Sequence, residues 1–211
     1  MIQSYGGRGL KSMNYYRSLR TSIFLIMFLA GIGPAIAADY VIDPGHTSIH
    51  FKIGHFQFSQ VQGRFNRISG KFSFDPAKPE ASKIYVVVDV GSIDTNHKAR
   101  DDHMRDPKFF NVARFPDAVF RSTRITVTGP KTGRMTGDLK IMGVTIPVTL
   151  DVKFNGIAPH PLGAAFDRYK GITVVGFSAR TVISRTRFGM TGGQGEKGDI
   201  AELSIEVEGW H

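Results

Sequence analysis

The chain has no cysteine among its 211 residues. That absence excludes disulfides, thiolate metal ligands, a cysteine nucleophile and a cysteine-borne lipid anchor. Stability must come from a packed core and from backbone hydrogen bonding. Acidic residues are missing from positions 1–38, which hold the four cations Arg8, Lys11, Arg17 and Arg20. Tryptophan occurs once. No internal repeat, low-complexity tract or interdomain linker breaks the chain. The apolar run Ile23–Ala30 is short of the roughly 20 residues a membrane-spanning helix needs.

What stands at the N-terminus is a basic stretch, then that apolar run, then Ala35-Ile36-Ala37. This is the order of an export signal, with cleavage expected near Ala37. Arg17 and Arg20 are not adjacent, so no twin-arginine signal is present. Met13 would start a signal of more ordinary length. The expected mature domain is 38–211, and its expected location is the periplasm. Removing the four cations lowers the formal charge from +9 to +5. Much of the basic pI of 9.9 therefore belongs to the leader. An exported, moderately basic domain gives no case for nucleic acid, whereas an anionic membrane surface is a reasonable partner.

Period-two alternation between turn residues dominates the remainder. Ile49, Phe51, Ile53 and His55 share one strand face. Ile68, Gly70, Phe72 and Phe74 repeat the pattern, out of phase with Val61, Gly63 and Phe65. The slip predicts a bulge near Arg67. Ile84–Val90 is a nearly continuous apolar strand. Further strands read as 118–128, 134–141, 144–154, 172–183 and 200–208. Turns at Met142-Gly143 and 129–133 suit antiparallel hairpins. Segment 96–111 lacks alternation and predicts one or two short helices between the third and fourth strands. The fold class is thus all-β: an eight-stranded antiparallel barrel, or a two-sheet sandwich without a cavity. Six of the 16 phenylalanines (Phe51, Phe56, Phe58, Phe65, Phe72, Phe74) fall on the first two strands and their connection. They read either as an ordinary core or as the wall of a slot for a long hydrocarbon.

Four stretches together carry a family resemblance. The first is His46–His55 with Val61-Gln62-Gly63-Arg64-Phe65. The second joins Ser92–Asn96, Arg100–Met104, Phe109–Val112 and Phe115-Pro116. The third is Gly137-Asp138-Leu139 with Gly143-Val144-Thr145 and Pro147-Val148. The fourth is Gly176–Ala179 with Arg185 and Phe188-Gly189-Met190. From about Asp39 to Glu208 the chain resembles the YceI-like proteins, periplasmic lipocalin-like barrels that bind polyisoprenoids. The resemblance implies a helical insertion after strand three and a tunnel for an isoprenoid, a quinone-like lipid or another long-chain amphiphile. It implies no catalysis and no further cofactor. Arg187 stands where relatives often carry an acidic residue, which makes this rim more basic.

Alternation and resemblance together assign the ligand to Phe51, Ile53, His55, Phe56, Phe58, Val61, Phe65, Phe72, Phe74, Val86, Val88, Arg100, His103, Phe120, Leu139, Ile141 and Phe177. No catalytic or metal-binding residue is assigned. His46, His50 and His55 lie close in sequence, but His50 and His55 have opposite strand parity, so they do not converge on one ion. His55 reads as a satisfied core histidine or as a donor to a ligand oxygen. Arg100, Asp101 and His103 read as a helix tied to the barrel or as a polar gate. An acid–base cluster lacks a nucleophile beside it. Gly189–Gly198 fails the phosphate-loop spacing and reads as a hairpin loop. Gly176–Arg180 misses the nucleophile elbow, leaving Ser178 a strand residue. The expected function is a periplasmic lipid-binding carrier. A membrane or partner interaction module and an enzyme acting on a lipid headgroup are the alternatives. A homodimer is compatible with the sequence.

Overall fold

The computed structural model describes residues 37–193 and 198–211. The export signal and its cleavage site, apart from Ala37 itself, lie outside the described residues, as do residues 194–197 of the glycine-rich stretch.

Among the described residues, eleven strands form one antiparallel sheet. They are β1 (Ala38–Ile42), β2 (Ser48–His55), β3 (Ser59–Phe65), β4 (Ile68–Phe74), β5 (Lys83–Asp89), β6 (Ile93–Asp94), β7 (Asp117–Gly129), β8 (Thr132–Ile141), β9 (Val144–Pro159), β10 (Thr173–Ser184) and β11 (Ile200–Trp210). The order runs β1-β4-β5-β7-β8-β9-β10-β11, and β1 pairs again with β11. The sheet therefore closes into an eight-stranded barrel, and the sandwich alternative falls. Closure through β1 and β11 pairs away most of the edge that an open sheet would leave to aggregation, with β6 the short edge that remains.

Three of the eight staves are broken. β1 and β2 succeed each other alongside β11, through Val41↔Trp210 and then Glu206↔Ser48. Between them the Thr47 hydroxyl donates to Glu208 O at 3.4 Å and accepts from Glu208 N–H at 3.2 Å, so the ladder is bridged where the strand bends. β3 and β4 are one strand kinked at Asn66-Arg67, beside the expected slip. There Ser92 satisfies the displaced backbone: its carbonyl accepts from Asn66 N–H at 3.1 Å, and its hydroxyl accepts from Arg67 N–H at 2.9 Å. β5 and β6 are separated by a short 3-10 turn at Val90–Ser92, opened by Asp89, whose carboxylate accepts from Gly91 N–H at 2.8 Å. Strand β1 is absent from the strands expected from sequence. Its five residues are too few to show alternation.

Short turns join β2 to β3, β7 to β8 and β8 to β9, while longer segments link the other staves. Met142 (φ 49°) and Gly143 (φ 80°) form the left-handed pair that suits a two-residue hairpin between β8 and β9. The helical insertion is α1 (Lys98–Met104), placed between β6 and β7 as expected. Two apolar clusters pack the wall. One gathers Val90, Ala118, Ile141, Ile146, Phe188 and Met190. The other gathers Tyr40, Ile42, Phe72, Phe74 and Val175. No helix among the described residues is long and apolar enough to cross a membrane.

Candidate functional site

Period-two alternation sends one face of every stave inward, and the inward faces do not fill the barrel. They enclose a cavity of about 630 Å³ with an almost wholly apolar wall. Residues from both ends of the barrel reach it: His55, Arg100 and His103 at one, Pro76, Pro130 and Lys131 at the other. Fifteen of the residues assigned from sequence line it. They are Phe51, Ile53, His55, Val61, Phe65, Phe72, Phe74, Val86, Val88, Arg100, His103, Phe120, Leu139, Ile141 and Phe177.

Phe56 and Phe58 do not line it, and this corrects their assignment. They stand in the β2–β3 turn, 51% and 91% exposed. Phe56 (φ 49°) and Gln57 (φ 71°) take left-handed backbone, reversing the chain just after His55 and turning both rings outward.

The two readings of the phenylalanines are both realised. Phe72, Phe74, Phe154 and Phe177 form one group with centroids 5.0–5.9 Å apart, edge-to-face where Phe177 meets Phe72 and Phe74 and tilted where Phe154 joins, so they pack as core. Each also presents a surface to the cavity. Two glycines make room for inward rings. A Cβ at Gly63 would meet Phe51 Cζ at 2.4 Å, and one at Gly137 would meet Phe120 Cζ at 2.3 Å.

Polar groups are few and gathered. Arg100 is held by Thr95: its Nε donates to Thr95 Oγ1 at 2.8 Å and its Nη2 to Thr95 O at 2.8 Å. Asp101 is buried and turned the same way, accepting from Thr95 N–H at 2.8 Å and from Thr95 Oγ1 at 2.5 Å. Arg105 fastens the end of α1 by donating to Gly91 O at 2.9 Å and Ile93 O at 3.1 Å. Lys98, by its hydrogen bond and its charge, holds the Asp102 carboxyl below its ordinary range. The helix is therefore tied to the barrel, as one of the sequence readings had it. Asp101 holds Thr95 through Oδ1 alone, and no hydrogen bond or ion pair joins it to His103 among the described residues. The His103 ring packs edge-on to Phe109, with centroids 4.8 Å apart, at the rim.

Sequence reasoning left out a second arginine. Arg185 is 8% exposed, lines the cavity and donates to the carbonyls of Gly192 and Gly198. No carboxylate lies within 4 Å of it among the described residues. Burial pushes its pKa down, opposed by the charge of Asp199. Ser82 is also buried and lines the cavity, with no partner for its hydroxyl among the described residues. Further lining residues, including Leu150, Ala179, Leu203 and Ile205, stand in phase with the expected inward faces, and only that phase marks them.

His46 joins Asp43 and Glu208, with three ligand-type atoms within 4.8 Å of one another. Its Nδ1 hydrogen-bonds the Asp43 carboxylate and lies 4.0 Å from Glu208 Oε2. Asp43 also accepts from Gly45 N–H at 2.9 Å, so the group serves the bend between β1 and β2.

A closed antiparallel barrel around one large apolar cavity, with its polar side chains concentrated at the ends, defines a small-molecule-holding β-barrel. Residues 40–209 match the YceI-like domain, and the chain belongs to that family. It is 42% identical over 183 residues to a UPF0312 protein of Azotobacter vinelandii, covering 86% of this chain and 91% of the relative. Among solved structures, the Campylobacter jejuni YCEI protein superposes with a TM-score of 0.65 at 31% identity, covering 76% of this chain and 90% of that one. A polyisoprenoid binding domain from Saccharophagus degradans superposes with a TM-score of 0.55 at 14% identity, covering 82% of this chain and 98% of that one. At that identity the likeness is one of fold.

Proposed function

We propose that this protein is a periplasmic, non-enzymatic carrier that holds one isoprenoid or quinone-like lipid, or a comparable long-chain amphiphile, inside its barrel. The observation that carries the reading is the 630 Å³ cavity with its apolar wall. A hydrocarbon tail gains about 0.8 kcal/mol for each methylene it buries, so affinity accrues with length and needs few polar contacts. Arg100 and His103 place donors at one end, where the head of an amphiphile would lie. The Saccharophagus degradans domain, described as polyisoprenoid binding, has the same fold. The gathered polar residues hold α1 in place, which suits a binding role better than turnover.

Mass spectrometry of organic extracts from the purified protein tests the reading. The expected result is one lipid species at close to one molecule per chain. Repeated extracts without lipid, together with failure of the emptied protein to take up a polyprenol, would refute it.

A further inference from the structure

The Phe56–Phe58 turn is an exposed apolar element without a role in the cavity. The turn is closed by Phe58 N–H donating to His55 O at 3.0 Å. The strands beneath it stay paired up to His55↔Ser59, so the rings ride on a rigid hairpin rather than on a loose loop. Left-handed backbone at two successive positions is normally given to Asn and Gly, and bulky residues there are strained. Here those positions hold Phe56 and Gln57. The turn chemistry is thus spent on presenting aromatic side chains. Phe56 lies edge-on to His55, with centroids 4.7 Å apart, and His55 lines the cavity. The tip therefore adjoins a cavity end.

The hairpin stands at the barrel end that also carries α1 and the loop before β11. Lys98 there is paired with Asp102 and Lys52 with Glu202, while Arg187 in that loop is exposed and has no carboxylate within 4 Å among the described residues. Two exposed aromatic rings at the end that carries Arg187 match the interface of an anionic bilayer, where rings settle at headgroup depth. The opposite end of the barrel also exposes apolar residues, but differently. Phe166 there is 48% exposed, with the Arg168 guanidinium 5.2 Å from its ring centroid and Tyr169 edge-on to it, whereas Phe58 is 91% exposed.

We propose that the Phe56–Phe58 hairpin tip docks the protein on an anionic lipid bilayer, inserting both rings at headgroup depth. Docking sets the His55 end of the cavity against the membrane, so a lipid can pass between bilayer and barrel without crossing water. The reason for the docking rests on the carrier reading; the docking itself is measured separately.

The test is co-flotation of the purified protein with phosphatidylethanolamine–phosphatidylglycerol vesicles, for wild type and for Phe56→Asn/Phe58→Ser. Asn suits the left-handed position, so the double variant keeps the turn. Losing a buried phenyl costs on the order of tenfold to a hundredfold in partitioning. The expected result is a hundredfold or greater loss of vesicle binding, with the melting temperature and the lipid extracted per chain unchanged. Wild-type protein that stays in the aqueous phase, or a double variant that floats equally well, overturns the docking. So does a variant whose only change is the loss of a dimer, since a second copy would then cover the tip. An empty cavity in extracts with intact vesicle binding would instead remove the carrier reading and leave the docking standing.

Discussion

Ala179 lies mid-barrel on β10, paired with Val152 and Ile205, and its side chain faces the cavity. Ala179→Trp projects an indole into empty volume. The indole claims at least the space of one five-carbon isoprene unit. At about 0.8 kcal/mol per methylene-sized group, excluding five carbons from the wall costs ~4 kcal/mol of binding. That is roughly 1,000-fold in affinity. Because the ring enters a void of about 630 Å³, overpacking strain is largely avoided, and stability should change by less than about 1 kcal/mol. Val182 is the control: it lies three residues further along the same strand, points outward and is 62% exposed. Competition binding with a fluorescent polyene, alongside thermal unfolding, separates the effects. Ala179→Trp should lose the probe while keeping its melting temperature, and Val182→Trp should keep both. If Ala179→Trp retains wild-type affinity, the tail does not occupy this volume. If it unfolds, the volume is not empty.

Three further outcomes follow from the same geometry. Arg185→Met removes the donors to Gly192 O and Gly198 O and should cost about 2–4 kcal/mol, seen as a melting temperature lower by roughly 5–15 °C. Asp101→Ala leaves the buried Thr95 N–H and hydroxyl without their acceptor, costing about 2–3 kcal/mol, whereas Asp101→Asn retains an acceptor and should cost less in the same unfolding assay. His46 has its pKa raised above 6.5 by its hydrogen bond to Asp43 and then by the charges of Asp43 and Glu208. Its contribution to stability should be complete below about pH 6.5 and fade as pH rises through the raised value, an effect made small by exposure and salt. Melting temperatures of wild type and His46→Gln from about pH 5 to about pH 8 should converge at the alkaline end; parallel curves would refute the coupling.

Much of the barrel was legible because a closed sheet imposes one rule on every stave. Inward residues recur at every second position, and a phase slip marks a kink. The shift between Val61-Gly63-Phe65 and Ile68-Gly70-Phe72 located the kink to within a residue, since each phase must face the same interior. β1 was missed because five residues beside the leader show no alternation, and only ring closure reveals their partners. Phe56 and Phe58 were misplaced because Phe-Gln carries none of the Gly or Asn that marks a two-residue turn. A reversal there moves both rings from wall to solvent. Arg185 was visible in a motif, but its task depends on carbonyls seven and thirteen residues away that no local pattern links to it. The polar end was legible as a tied helix. That Asp101 turns to Thr95, leaving His103 against Phe109, required coordinates.

The interior of the barrel is where the account is most exposed to test. High-resolution crystallography of the protein as first purified, without delipidation, should show a continuous tube of non-protein density against Phe51, Leu150, Ala179 and Ile205. Side chains meeting across the axis, or a chain of ordered water along that path, would contradict it.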